Sequence, residues 1–168
     1  MSGRSEFHTR PARVEDAAAI ADIYNQGIAD RVATFETEPR TPHQIAEWFR
    51  PGRLIVVAQE PQGGIVAFAA SFPYSARPCY AGIGEFSVYV ARDHRGRGAG
   101  RVVLAGLIET ARAAGLHKLT SRVFPENAPS RALLKRLGFG EIGVHRRHGR
   151  LDGEWRDCVV VELLIAAD

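Results

Sequence analysis

A chain of 168 residues is long enough for one well-filled core and too short for two, so a single domain spanning 1–168 is expected. Its 22 basic residues against 19 acidic leave a net charge of +3, which favours anionic ligands without demanding nucleic acid. No apolar run of about eighteen residues offers a membrane span, and "MSGRSEFHTR" lacks the apolar centre of a secretory signal, so a cytoplasmic protein with no membrane partner is expected. The two cysteines, Cys79 and Cys158, have no CxxC spacing and are read as reduced bystanders; no metal site is suggested.

In chain order, "FHTRPAR" reads as a short strand. "VEDAAAIADIYNQGI" then sets Ala18, Ile20, Ile23, Tyr24 and Ile28 at helical spacing. Thr41 followed by Pro42 starts a second helix that runs to about Phe49, where Pro51-Gly52 stops it. "RLIVVAQ" and "GGIVAFAASF", joined by "EPQGG", read as an antiparallel hairpin, and "IGEFSVYVA" makes a fourth strand. Arg97 to Gly115 is a long third helix, "KLTSRVF" a fifth strand, and a fourth helix runs from Asn127 to Gly138. "FGEIGVHRRHG" and "EWRDCVVVELLI" close the chain as a hairpin around "RLDG". The order predicts an α/β protein whose mixed sheet carries helices on both faces.

Between the fourth strand and the third helix lies "RGRGAG", with glycines at 96, 98 and 100 and arginines at 95, 97 and 101. Glycines there strip side chains from the start of a helix, where unpaired N–H groups and the positive end of the dipole face outward. With the arginines around it, the loop is a candidate cradle for a phosphate or pyrophosphate. It carries neither the GK[ST] ending of a Walker loop nor the GxGxxG of a dinucleotide fingerprint.

The pattern RxxGxG over Arg95 to Gly100, after the strand "SVYV", resembles the acetyl-coenzyme A loop of the GNAT acetyltransferase superfamily. "NAPSRALLKRLGF" resembles that superfamily's NxxSxxxxxxxGF segment, with matches at Asn127, Ser130, Gly138 and Phe139. The resemblance implies a GNAT fold of about seven strands and four helices, with the fourth and fifth strands splayed to admit the pantetheine. It implies acetyl-coenzyme A as co-substrate, held by Val88, Tyr89 and Val90, by Arg95, Gly96, Arg97, Gly98, Ala99, Gly100 and Arg101, and by Asn127 and Ser130.

"IYNQGI", "ATFETEPRT", "RPCYAGIGEFSVYV", "NAPS" and "DGEWRD" are similar to one branch, the phosphinothricin, methionine sulfoximine and arsinothricin N-acetyltransferases, over nearly the whole chain. In that branch Glu85 matches the carboxylate assigned as general base, and Phe35, Arg77 and Tyr80 match positions near the amino-acid substrate. The chemistry asks for such a carboxylate independently, because a protonated amine cannot attack a thioester until some group accepts its proton. Arg77 is a guanidinium suited to an anionic head group or α-carboxylate. Trp48 and Trp155 read as packing residues, and His145 and His148 as exposed hairpin histidines. The branch also implies a homodimer, for which the apolar "CVVVELLI" is either an edge strand or a buried internal one.

Three positions depart from the family's pattern. Leu134 stands where relatives carry a histidine or tyrosine able to protonate the departing thiolate; Leu151 replaces a basic residue, and Glu36 an arginine. The function implied is transfer of an acetyl group to the α-amine of a small amino acid or toxic glutamate analogue. The alternatives are another amine, such as a polyamine or peptide N-terminus, or a non-catalytic coenzyme A sensor. A nucleic-acid module is disfavoured, since the basic residues cluster at one helix start without an aromatic stripe.

Overall fold

The structure, a computed structural model, describes residues 6–165; the polar stretch 1–5 that entered the leader argument lies outside the described residues. Strands β1 (His8–Pro11), β2 (Leu54–Gln59), β3 (Ile65–Pro73), β4 (Ile83–Val90), β5 (Lys118–Val123), β6 (Gly140–Leu151) and β7 (Glu154–Leu164) form one seven-stranded sheet. Its order is β1-β2-β3-β4-β5-β7-β6, antiparallel throughout except for the β4/β5 pair. Helices α1 (Ala17–Asp30), α2 (Pro42–Ala46), α3 (Ala99–Ala113) and α4 (Ala128–Arg136) complete the mixed α/β fold.

Alternation along the central strands builds two cores from one sheet. Ile55, Val57, Phe68 and Ala70 point to the face covered by α1 and α2, while Val56, Ala58, Ala67 and Ala69 point to the face covered by α3. On α3 the stripe Val103, Leu104, Leu107 is fully buried, each side chain contributing roughly 1.5–3 kcal/mol. At the other core, β1 is tied to α1 by Arg10, whose Nη1 and Nη2 donate to the two oxygens of Asp16 at 2.7 and 2.9 Å. That guanidinium holds the Asp16 carboxyl below the usual carboxylate range.

Element ends differ from expectation in informative ways. Helix α2 has the predicted Thr41 cap, in which Thr41 Oγ1 accepts from Gln44 N–H at 3.2 Å and Gln44 Oε1 accepts from Thr41 N–H at 2.8 Å. It stops at Ala46 rather than Phe49, because the chain tightens into turns there and brings Trp48 against Tyr24, Phe68 and Phe72. Helix α3 begins at Ala99, with Gly98 as its left-handed N-cap. The last hairpin turns on Asp152-Gly153, the dipeptide that suits a two-residue turn, and β7 is internal to the sheet, so β6 is the edge. Trp155, read as packing, is half exposed under the Arg150 guanidinium, 4.4 Å from its ring centroid.

Candidate active site

The β4/β5 pair holds together for only three positions, Ile83↔Lys118, Gly84↔Leu119 and Glu85↔Thr120. Beyond them the strands separate, and the final link is Ser121 Oγ donating to the Phe86 carbonyl at 2.7 Å. The edge that faces this gap follows from strand alternation. Ala91 N–H donates to Val66 O on β3, so odd-numbered residues of β4 point their backbone groups at β3 and even-numbered ones at the gap. The gap is therefore lined by the backbones of Phe86, Val88 and Val90, an open strand edge able to pair with an extended ligand. Tyr89 contributes in another direction: its ring stacks on Phe68 at 5.4 Å and meets Tyr24 edge-on at 5.0 Å, and burial pushes its phenol well above the ordinary range.

At the end of β4 the glycine loop is anchored from beneath. Arg92 Nη2 donates to Asp30 Oδ1 and Arg95 Nη1 pairs with Asp30 Oδ2, both at 2.7 Å, while Arg95 Nε donates to Val90 O at 3.2 Å. Bonds from Arg92 and Arg95 hold the Asp30 carboxyl below its usual range. Gly96 and Gly98 lie at φ +77° and +90°, and a side chain at either would extend into open space that a ligand can fill. Gly100 differs: a Cβ there would press on Leu133 and Val90 at 3.2 and 3.3 Å, so this glycine lets α3 approach α4 and β4. Among the described residues no backbone carbonyl accepts from the N–H groups of Gly96 to Arg101. Those N–H groups and the start of a fifteen-residue helix fit an anionic guest.

The three arginines of the loop are not equivalent. Arg95 is occupied by Asp30, Arg97 pairs with Glu6 and lies 5.5 Å over the Phe7 ring, and the Arg101 side chain makes no hydrogen bond or ion pair among the described residues. Across the gap, Asn127 caps α4, its Oδ1 accepting from Ser130 N–H at 3.2 Å and its Nδ2 donating to Val32 O at 3.2 Å. Ser130 keeps its hydroxyl free among the described residues, and Leu134 is buried in the core where no proton can be donated.

On the opposite face of β4 lies a cleft of about 490 Å³, walled by Tyr24, Phe35, Trp48 and Phe72, with Glu85 and Arg122 in it. Glu85 projects from the last paired position of β4, and Arg122 lies two residues beyond its partner Thr120, on the same face of β5. Arg122 Nη2 donates to Glu85 Oε1 at 2.6 Å, and both side chains remain partly open to solvent. Glu85 Oε2 has no partner among the described residues. Arg122 Nη1 donates to His148 Nε2 at 2.8 Å; local desolvation, then the stacked His145 and the charge of Arg122, lower the His148 pKa from 6.5, which suits a neutral acceptor.

His148 reaches this cleft because β6 bulges. The four-residue step from His145 to Gly149 is matched by a two-residue step from Cys158 to Arg156, with Arg147 at φ +48°. Next to it, Phe35 meets Phe124 edge-on at 5.0 Å, and Gly149 leaves the room, since a Cβ there would lie 2.8 Å from the Phe35 ring. Arg77 and Tyr80 are not brought to this cleft. They sit at an exposed turn before β4, Arg77 lying 5.6 Å over the Tyr80 ring and Tyr80 meeting Tyr74.

A family model described as the acetyltransferase (GNAT) family matches residues 20–139, most of the described fold. The chain belongs to that family. As a GNAT acetyltransferase it is 35% identical to a phosphinothricin N-acetyltransferase of Streptomyces coelicolor, over 96% of this chain and 98% of that protein. It is 34% identical to an L-methionine sulfoximine/L-methionine sulfone acetyltransferase of Pseudomonas paraeruginosa, over 92% of each. A phosphinothricin acetyltransferase of Sinorhizobium meliloti, solved in complex with acetyl-coenzyme A, superposes with a TM-score of 0.88 at 26% identity, over 96% of this chain and 89% of that one. In this GNAT chain the open edge of β4 and the glycine loop lie to one side of the splay, with Glu85 and the aromatic cleft on the other face. Acetyl-coenzyme A is the co-substrate of such an enzyme. Among the described residues no helix is long and apolar enough to cross a membrane, and no three His, Cys, Asp or Glu side chains cluster to hold a metal ion.

The sequence does not single out Arg122 or Asp30, and it marks His148 only as an exposed hairpin histidine, whereas the structure sets it against Arg122. Arg122 was signalled weakly by alternation in "KLTSRVF", yet only the β4/β5 register brings it to Glu85.

Proposed function

We propose that this acetyltransferase acetylates the α-amine of a small amino acid or of a glutamate analogue such as phosphinothricin, methionine sulfoximine or arsinothricin, as a single-domain, homodimeric, cytoplasmic detoxification enzyme. The observation that carries the reading is Glu85 standing in an aromatic-walled cleft where the splay opens, with one carboxylate oxygen unpartnered among the described residues. Acetyl-coenzyme A supplies the activated acetyl group as a thioester. The free N–H groups of Gly96 to Arg101 hold the pyrophosphate, with Arg101 and Ser130 beside them, and the backbones of Val88 and Val90 hold the extended arm. Glu85 Oε2 accepts the proton that the amine must lose as its nitrogen bonds the acetyl carbon and the carbon–sulfur bond breaks. The thiolate leaves without help from Leu134, which a coenzyme A thiol of pKa roughly 8–9, like that of cysteine, permits.

The walls Tyr24, Phe35, Trp48 and Phe72 enclose a space of small-molecule size and shield the reacting amine from water. Support for the homodimer comes from the edge hairpin, where Ile142, Val144 and Leu164 are exposed apolar side chains. Free-thiol release from acetyl-coenzyme A, measured against phosphinothricin, methionine sulfoximine, methionine sulfone, arsinothricin, ordinary amino acids and a polyamine, tests the reading. Saturable release with the glutamate analogues is expected; release with the polyamine alone would overturn it.

A further inference from the structure

The cleft contains one arginine and no lysine among its described lining residues, and that arginine is already paired with the proposed base. Building on the amino-acid reading above, we propose that Arg122 seats the acceptor's α-carboxylate by taking it in exchange for Glu85, so that recognition of the acid frees the base beside the amine. The α-carboxylate and α-amine of an amino acid share one carbon. A carboxylate on the Arg122 guanidinium therefore brings the amine next to a Glu85 carboxylate that stands 2.6 Å from the same guanidinium. A distal anionic head on Arg122 would leave the amine far from Glu85, which is why the α-carboxylate is the group assigned.

Geometry favours the exchange. Arg122 is half exposed on its open side, so an incoming carboxylate reaches it without moving the backbone. Its Nη1 stays fixed by His148, which the β6 bulge holds in place, while Nη2 changes partner. A guanidinium binds a carboxylate through two parallel bonds, a geometry that a single oxygen of Glu85 does not use. While the pair stands, Glu85 Oε1 is committed to Arg122; once the acid takes Nη2, both oxygens of Glu85 are available to the amine. The other charged group lining the cleft, Glu36, is itself paired with Arg40 at 2.9 Å and repels an acid rather than seating it. Arg77, the arginine singled out from the sequence, lies outside the cleft.

The test compares methionine sulfone with its α-carboxamide, which keeps the amine and side chain and loses the charge, in the wild type, Arg122→Gln and Arg122→Lys. The wild type is expected to prefer the acid by about a hundredfold in kcat/KM, the size of one charge-assisted bidentate pair. Arg122→Gln should abolish that preference by depressing the acid about a hundredfold more than the amide, with coenzyme A affinity unchanged; Arg122→Lys should restore part of it. Equal loss on acid and amide in Arg122→Gln, with the preference intact, would overturn the assignment. Failure of the amino-acid reading itself would show differently, as no turnover of either compound by the wild type with coenzyme A still bound. Calorimetric titration with methionine sulfone then decides: binding that Arg122→Gln removes upholds the carboxylate seat, and no binding to the wild type refutes it.

Discussion

The two sides of the β4/β5 splay, which we assign to the acetyl donor and to the acceptor, share a strand and are made of different materials. The glycine loop and the Val88–Val90 edge offer backbone groups, contributed by one continuous stretch of chain and braced from below by Asp30. The cleft on the other face is made of side chains drawn from α1, the segment after it, β3, β4, β5 and the β6 bulge. Backbone recognition tolerates change in the surrounding side chains and asks only for glycine where φ is positive. Side-chain recognition depends on register and on a bulge, so one altered residue can change what the cleft accepts while the acetyl donor is held as before.

That contrast can be broken by substitutions that act on one side only. The largest effect is expected from Gly98→Val, which sets a branched side chain at φ +90° and in the space left for the guest. Coenzyme A affinity, measured by calorimetry, should fall about a hundredfold, as for losing one or two hydrogen bonds to charged groups. Undiminished affinity would remove the cradle from the account. A smaller effect, on the other side, is expected from Gly149→Val, whose Cβ would lie 2.8 Å from the Phe35 ring. Overpacking of about 1–3 kcal/mol at the cleft wall should raise acceptor KM roughly tenfold with coenzyme A affinity intact. Parallel loss of both would show the two sides to be one unit.

Acid should separate the sides more gently. The His148 pKa is lowered from 6.5, so its neutral, accepting form is fully present above that value and is lost as pH falls through the lower folded value. Protonation there places a second positive charge beside Arg122 and removes its acceptor, so acceptor KM should rise a few-fold below pH 6.5, and His148→Gln should flatten that limb. Asp30 is lowered from 3.8, so its hold on Arg92 and Arg95 persists above that value and fails as pH falls through the folded one. Coenzyme A binding should therefore outlast acceptor recognition as the solution is acidified, and loss of both at the same pH would contradict the separation.

The same contrast explains what could be read from the chain unaided. Glycine loop, Asn127 cap, hairpins and the order of elements along the chain are local signals, and each appears within a residue or two of its expected place. The acceptor side is long-range. Arg122 reaches Glu85 only through parallel pairing with the strand that bears it, and His148 arrives through two inserted residues that no turn dipeptide announces. Helix α2 was overextended because Trp48 and Phe49 continue an apolar pattern, whereas tertiary packing claims Trp48 for the Tyr24 cluster. Glu85 and Phe35, taken from resemblance, both line the cleft; Arg77 and Tyr80, taken the same way, stand at the turn outside it.

We assign to Glu85 the chemistry on the acceptor side, with the donor held without it. Glu85→Gln keeps the shape and the hydrogen-bond acceptor for Arg122 and removes the base, so two numbers from one variant decide the matter. Acetyl transfer to methionine sulfone should fall by about a hundredfold or more, with coenzyme A affinity unchanged. Turnover at the wild-type level, or coenzyme A binding lost along with it, would contradict the account.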